Sequence, residues 1–313
     1  MNQEKLFQSP MQPWPSLAPF GKKISLCSLN IEIFFFEAGQ ENFETIILIH
    51  GLGDEADTWR HVFIPLADKF HVIALDLPGF GRSEKVKRAS SPGFLVESLL
   101  GLIQKLNVTK PILMGSSLGG ILAHQIALEN PTLLRALILV GGAINPKGMR
   151  SNLSMRLMQI PFLGEWLYTR LRKDPQAAFE SLQTVYHDLM SLSIEDRNFL
   201  FTRVNNRVWD DRQKDAYLSL LRKLPNWMQD QQKQLAINSF PPDVPVLVVR
   251  GEFDPLFSED NGVYLVNQNP KCSLIQIKNA GHLPHQECPV IFLENLKKWL
   301  AHEILENKIP GGS

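Results

Sequence analysis

Five continuous apolar runs, rich in β-branched residues, recur along the chain: Thr45–Ile49, Val72–Leu75, Pro111–Met114, Ala136–Val140 and Val246–Val249. Ser273–Ile277 is a weaker sixth. An uninterrupted apolar strand suits a sheet covered on both faces, and therefore a parallel one. Between these runs the apolar positions fall at helical spacing. Trp59, Val62, Phe63 and Leu66 share one face; so do Leu95, Leu99, Leu102, Ile103 and Leu106, then Leu122 and Ile126, and finally Phe292, Leu296 and Leu300. Ahead of the first run, Ile24–Leu29 and Ile31–Phe36 read as the two strands of a hairpin. The alternation predicts an α/β fold with a doubly wound, mostly parallel sheet.

Residues 144–240 break this rhythm, with no run of the buried-strand type. Asp174 followed by Pro175 predicts a capped helix carrying Ala178, Phe179, Leu182, Val185, Tyr186 and Leu189, with proline at its first position. Ser193-Ile194-Glu195-Asp196 has the build of a second helix start. Ala216, Tyr217, Leu220, Leu221 and Leu224 mark a third helix, expected to stop near Pro225. The polar tract Gln229–Gln234 reads as a solvated helix face. The expected organisation is an irregular leader over 1–22 with four prolines, a core made of 23–143 and 241–305, a helical insertion over 144–240, and a tail over 306–313.

Composition narrows the class. The 313 residues are 44% hydrophobic, and 32 basic residues balance 32 acidic ones. A chain this apolar and neutral is not disordered, and it lacks the basic excess of a nucleic-acid binder. Cys27, Cys272 and Cys288 are widely spaced, giving neither a CxxC metal pattern nor a disulfide framework, which fits a reducing, cytoplasmic setting. No apolar stretch approaches about 18 residues, so no stable membrane insertion is expected. The first residues lack the build of a secretory signal. There is no HExxH and no P-loop, so neither metal nor nucleotide cofactor is expected. The expected partner is a small molecule, and the chain is expected to be a monomer or a dimer.

The strongest chemical signal is Gly115-Ser116-Ser117-Leu118-Gly119, between the strand Pro111–Met114 and the helix of Leu122 and Ile126. A tight strand-to-helix turn leaves no room for larger side chains than glycine on either side of the serine, and projects its hydroxyl off the carboxyl end of the sheet. A serine hydroxyl needs a base and a carboxylate to orient that base. The expected chain order is serine, acid, histidine. Asp254 follows the run Val246–Val249, and His282 follows Ser273–Ile277. The other candidates read differently: Ser116 as a turn residue, Glu252 as a weaker substitute for Asp254, His285 as a surface or pocket-rim residue. His50 and Asp76 read as loop-fixing groups, His124 as structural, and Cys272 and Cys288 as inert packing thiols.

Together with His50-Gly51-Leu52-Gly53, Asp76-Leu77-Pro78-Gly79-Phe80-Gly81-Arg82-Ser83, Gly251-x-x-Asp254 and Gly281-His282, these motifs resemble the α/β-hydrolase superfamily with a helical cap. The resemblance covers residues 30–145 and 243–303; the insertion matches in position and helical character alone. It implies that Ser117 attacks an acyl carbon, that His282 accepts and returns its proton, and that Asp254 holds the imidazole. It also implies an oxyanion hole from the backbone N–H groups of Leu52 and Leu118. Serine at position 117 disfavours the capped relatives that use aspartate there, the epoxide hydrolases and haloalkane dehalogenases. Ser116 and Pro255-Leu256 depart from the carbon–carbon bond hydrolases, which often carry asparagine before the serine and an aromatic near the acid. Relatives of the cofactor-free haloperoxidase and perhydrolase kind often lack an elaborate cap. The expected activity is cleavage of a carboxylic ester, or a related acyl bond, of a small to medium apolar substrate. Carbon–carbon hydrolysis of a diketone and a non-catalytic receptor remain as alternatives, and hydrolysis is not separated from acyl transfer. Met155, Leu157, Met158, Ile160, Phe162, Leu163, Trp166, Leu167 and Tyr168 give the insertion an apolar face, expected to pack on the core and in part to line the pocket. The stretch Pro161–Tyr168 also suits a peripheral membrane contact, though charge does not single it out.

Overall fold

The computed structural model describes residues 7–8, 10–86, 91–144, 151, 153–235 and 244–305. The start of the leader, the point where the insertion rejoins the sheet and the tail 306–313 lie outside the described residues. Eight strands form one sheet: β1 Gly21–Leu26, β2 Ile31–Ala38, β3 Thr45–Ile49, β4 His71–Leu75, β5 Ile112–Ser116, β6 Ala136–Val140, β7 Val246–Gly251 and β8 Cys272–Ile277. Their order across the sheet is β1-β2-β4-β3-β5-β6-β7-β8. β1 and β2 pair antiparallel, as do β2 and β4; every other pairing is parallel.

The continuous apolar runs are explained by burial on both faces. Ile47 and Ile49, Leu113, and Leu137 and Leu139 enter one core; Ile46 and Leu48, Ile112 and Met114, and Ile138 and Val140 enter the other. A strand whose two faces both meet helices has no use for alternation. Because β3 to β8 all run the same way, the loops after β3, β5, β6, β7 and β8 share one edge of the sheet. That edge carries Leu52, Ser117, Asp254 and His282.

The first strand starts three residues earlier than its hydrophobic pattern suggests. Four residues, Cys27 to Asn30, are spent on the hairpin turn, with Asn30 in the left-handed region at φ 52°. Leu29 is buried from this turn rather than from a strand. The described part of the leader is pinned, not loose. Trp14 and Leu17 are buried, the Trp14 N–H donates to Asp57 Oδ1 at 2.5 Å, and Asn206 Nδ2 donates to Phe7 O at 2.8 Å.

Between β6 and β7 the described chain is helical: Leu153–Gln159, Leu163–Arg170, Pro175–Glu180, Ile194–Trp209 and Asp211–Leu235. Two of the expected starts are present with their caps. Asp174 Oδ1 accepts from Ala177 N at 3.0 Å, and Ser193 Oγ accepts from Asp196 N at 3.0 Å. Two expected spans are corrected. The helix from Pro175 ends at Glu180, and the chain continues through short 3-10 turns. There the Ser181 and Thr184 hydroxyls donate to the carbonyls of Ala178 and Ser181, and the Gln183 amide donates to those of Tyr186 and His187. Side chains of this kind compete with a continuing helix for its own backbone groups. The third helix does not stop at Pro225 but runs on to Leu235. A proline deprives the carbonyl four residues earlier of its donor. Here that carbonyl belongs to Leu221, and Gln159 Nε2 donates to it at 3.2 Å. A neighbouring helix supplies the bond that the proline cannot.

Candidate active site

Ser117 sits at φ 50°, ψ −113°, a costly conformation for a residue with a side chain. It is held there by its own N–H, which donates to Val140 O at 2.8 Å, and by the helix Leu118–Glu129 that starts directly behind it. The flanking glycines are forced by contact. A Cβ on Gly115 would lie 2.2 Å from the backbone of Gly119, and one on Gly119 would lie 2.3 Å from Ile49 O. The strand, the turn and the helix are thus pressed together so that the serine points out of the bend.

Asp254 follows β7 and is buried. Its Oδ1 accepts from the N–H groups of Leu256 at 2.8 Å and Phe257 at 2.9 Å, which fixes the carboxylate plane. His282 Nδ1 lies 2.9 Å from Oδ1 and 3.0 Å from Oδ2 of this carboxylate. A carboxylate accepts and does not donate, so Nδ1 bears the proton and Nε2 is left with its lone pair. Among the described residues Nε2 is buried and has no hydrogen-bond partner. The imidazole rests over the turn after β6: a Cβ on Gly141 would lie 3.1 Å from its ring. Gly142, the next residue, abuts Ser117, with a 2.1 Å approach of its notional Cβ to Ser117 O.

Ser117, His282, Leu52 and Leu118 line one cavity of about 520 Å³. Gly51 runs beside the serine, 3.3 Å from Ser117 Cβ to where its own Cβ would be. Leu118 is the first residue of its helix, a position whose N–H has no acceptor within the helix. The insertion closes the cavity from above with Met155, Val185, Leu200, Leu221 and Met228, and the core adds Leu256 and Leu283. Asn226, Gln229 and Gln232 from the long helix, with Gln159, add uncharged polar groups to the cavity lining. Among the described residues, no group of three or more histidine, cysteine, aspartate or glutamate side chains is placed to hold a metal ion.

The remaining candidates separate cleanly. Glu252 stays off the imidazole and accepts from Asn279 N at 3.3 Å. His50 Nε2 accepts from Leu77 N at 2.8 Å, so its Nδ1 donates to Gly51 O at 2.7 Å; burial holds its pKa below the usual histidine value. Asp76 accepts from Ala56 N, from Arg82 N and from the Arg82 guanidinium. His124 is buried and accepts from Ile144 N at 3.1 Å. Ser116 ends β5 with a buried hydroxyl and does not line the cavity. Burial pushes the Cys272 thiol up to about 12 and raises that of Cys288, so neither forms a thiolate readily. His285 is corrected. It is neither on the surface nor at the rim but fully buried, against Trp59 at 4.3 Å between ring centroids and 3.0 Å from Thr58 Oγ1. Burial pushes its pKa down to about 3. The helical turn Pro284–Glu287 aims it into the core, not toward the cavity.

Two features escape a reading of sequence pattern. Glu287 gathers three backbone donors on one carboxylate: Gly281 N at 2.9 Å, Leu283 N at 3.3 Å and His187 N at 2.6 Å. The first two bracket His282, and the third comes from the insertion. The second feature is a buried ionic cluster joining the loop after β3 to the helix Ile194–Trp209. Arg207 pairs with Glu55 at 2.7 Å and with Asp54, Arg203 pairs with Glu55 at 3.0 Å, and Arg60 pairs with Asp196 at 2.6 Å. Each charge is one of many along the chain, and nothing local marks it for burial.

Comparison with known proteins agrees with this architecture. A 2-hydroxy-6-oxononadienedioate/2-hydroxy-6-oxononatrienedioate hydrolase from Pseudomonas putida is 26% identical, with 88% of this chain and 93% of that protein covered. Among solved structures, Cfl2 of Burkholderia cenocepacia superposes with a TM-score of 0.78 at 22% identity, covering 93% of this chain and 99% of the other. A thermophilic esterase of Thermogutta terrifontis superposes at 0.71 and 22% identity, covering 90% and 98%. The sequence model of the alpha/beta hydrolase fold matches residues 44–288, most of the sheet and the whole of the insertion. The chain belongs to the alpha/beta hydrolase fold family.

Proposed function

We propose that this protein is a serine hydrolase that cleaves a carboxylic ester of a small to medium apolar substrate. One observation carries the reading: His282, with Nδ1 held by Asp254 and Nε2 unpartnered among the described residues, lines the same cavity as Ser117. Ser117 Oγ adds to the acyl carbon while Nε2 takes its proton. The oxyanion is received by the Leu52 and Leu118 N–H groups, each donor being worth about 10²–10³ in rate. Collapse expels the alcohol with the proton from His282. Water, deprotonated by the same nitrogen, then releases the acid and restores Ser117. We take 23–143 with 241–305 as the catalytic core and 144–240 as its cap; the free thiols of Cys27, Cys272 and Cys288 fit the cytoplasm.

The name of the Pseudomonas putida relative supports a second reading, carbon–carbon bond hydrolysis of a dioate. The charge of the cavity argues against it here. Among the described residues Arg207 is the only lysine or arginine that lines the cavity, and Glu55 and Asp54 already hold it. A substrate carboxylate would compete with two resident ones. Labelling with a fluorophosphonate, wild type beside Ser117→Ala, tests the nucleophile. A series of p-nitrophenyl esters set against a vinylogous diketone acid tests the bond. Labelling abolished in the variant, with esters turned over faster than the diketone, is the expected result. A folded wild type that binds ligands but neither labels nor turns over would make it a receptor.

A further inference from the structure

The outer side of the insertion carries apolar side chains that, among the described residues, nothing covers. Leu153 is 72% exposed, Ile160 47%, Phe162 89% and Trp166 55%. All four lie on the helices Leu153–Gln159 and Leu163–Arg170 and the corner between them. The corner is built, not frayed. Gly164 N donates to Ile160 O at 2.8 Å and Trp166 N to Phe162 O at 3.0 Å. The helices are so close that a Cβ on Gly164 would lie 2.2 Å from Met158 O. Phe162 is held at φ 64°, a conformation unfavourable for a residue with a side chain, and its phenyl ring is displayed to solvent. The inner side of the first of these helices faces the other way: Met155 and Gln159 line the cavity.

The charge around this patch is basic. Arg170 lies over the Trp166 ring at 5.3 Å, Arg156 donates to Ser151 Oγ, and Lys173 follows on the next turn. Among the described residues none of these three has a carboxylate within ion-pair distance. The acidic groups nearby are taken: Glu165 pairs with Arg222 at 2.7 Å, Asp211 with Arg172 at 2.6 Å and Lys214 at 2.7 Å, and Asp174 caps Ala177 N. A two-fold contact with a second copy would face basic rim against basic rim. Aromatic rings flanked by guanidinium and ammonium groups instead suit a boundary between acyl chains and anionic headgroups.

We propose that this face, Leu153, Ile160, Phe162 and Trp166 within the Arg156, Arg170 and Lys173 rim, docks peripherally on an anionic phospholipid surface. The binding itself needs no catalysis. Its use rests on the proposed function: an apolar ester partitions into lipid, and the helix Leu153–Gln159, which carries part of this face, also lines the cavity that receives it.

The test is flotation of the full chain with vesicles of phosphatidylcholine alone and of phosphatidylcholine mixed with phosphatidylglycerol. Wild type is compared with Phe162→Ser/Trp166→Ser and with Arg170→Gln/Lys173→Gln, thermal unfolding serving as the control for folding. Wild type is expected to float with the mixed vesicles and less with phosphatidylcholine alone, the more so at low salt. The aromatic variant is expected to bind at least about tenfold more weakly with an unchanged melting temperature. Wild type that floats with neither vesicle, a folded aromatic variant that floats equally well, or binding indifferent to phosphatidylglycerol overturns the proposal. So does sedimentation showing a dimer that the aromatic variant dissolves, without vesicle binding. Fluorophosphonate labelling of the same samples reads the catalytic site separately, so a failure of one reading is not mistaken for a failure of the other.

Discussion

The backbone N–H of His282 donates to the carbonyl of Val185, 2.8 Å away, so the loop of the candidate base is hydrogen-bonded directly to the insertion. Contact at this edge is close all along. A Cβ on Gly281 would lie 2.5 Å from His187 N, the Tyr186 hydroxyl donates to Gln286 Oε1 at 2.8 Å, and the His187 ring stacks on Phe253 at 4.0 Å, next to Asp254. The segment 185–187 therefore cannot lift without disturbing the loops of both Asp254 and His282.

Glu287 is the clamp of this edge. Its carboxylate holds the N–H groups on both sides of His282 and that of His187. Removing it by Glu287→Ala frees the imidazole to drift, and misplacement of about 1 Å costs on the order of 10² in rate. The expected result is a fall in kcat of ~10- to 100-fold with KM changed far less, and partial recovery in Glu287→Gln, which keeps one acceptor oxygen. Equal loss in both variants, or a change confined to KM, would assign Glu287 to packing instead.

The carboxylate of Asp254 fixes which nitrogen of His282 carries the proton. Asparagine in its place offers an N–H toward Nδ1 and favours the opposite tautomer, leaving Nε2 protonated and unable to act as a base. Asp254→Asn is expected to lower kcat by about 10⁴ while the protein stays folded. Glu252→Gln, two residues away, is expected to stay within about twofold of wild type, because Glu252 reaches Asn279 N and not the imidazole. Steady-state kinetics on one ester decides both; a large loss in Glu252→Gln would transfer the acid role.

What the sequence shows and what it hides divide along a physical line. Parallel strands buried on both faces leave continuous apolar runs, so the sheet and the loops holding Ser117, Asp254 and His282 could be placed from pattern alone. The bend at Ser117 is legible for the same reason: only glycine fits at 115 and 119. Unreadable features depend on partners distant in the chain. The helix over 175–189 has sound periodicity, yet local side-chain bonds from Ser181, Gln183 and Thr184 end it early. His285 reads as a surface or pocket-rim residue because a helix turn of four residues has no periodicity to orient it. Glu287 is invisible because its three partners are backbone N–H groups, one of them 100 residues away.

Pro225 and Gln159 form a couple that can be measured. Proline leaves Leu221 O without its helical donor, and Gln159 Nε2 supplies one. Gln159→Leu is expected to cost about 1–2 kcal/mol, the usual penalty for a partly buried carbonyl left unpaired. With alanine at 225 the helix regains its own donor, so the same change at Gln159 is expected to cost much less. A double-mutant cycle in urea reads the coupling; a value near zero would mean that water replaces the glutamine.

Acid is expected to loosen the cap before it unfolds the sheet. Burial raises the pKa of Asp196, but the hydrogen bond from His61, the charge of Arg60 and the Ser193 hydroxyl outweigh it and hold the carboxyl well below the usual range. Asp54 is held low in the same way, burial being outweighed chiefly by Arg207. Both carboxylates tie the loop after β3 to the helix Ile194–Trp209, Asp196 through Arg60 and Asp54 through Arg207. A carboxyl depressed on folding contributes stability in full above its unfolded pKa of about 3.9, and that contribution is lost as the pH falls through the folded value. Above that window the term is constant, so melting temperature is expected to be flat in this respect from neutral pH down to about 5 and to fall steeply below about 4. Asp196→Asn deletes one of the titrating groups, so its melting profile is expected to start lower at neutral pH and to converge on wild type in acid. Two profiles that stay parallel down to about pH 3 would show that Asp196 takes no part in the acid transition.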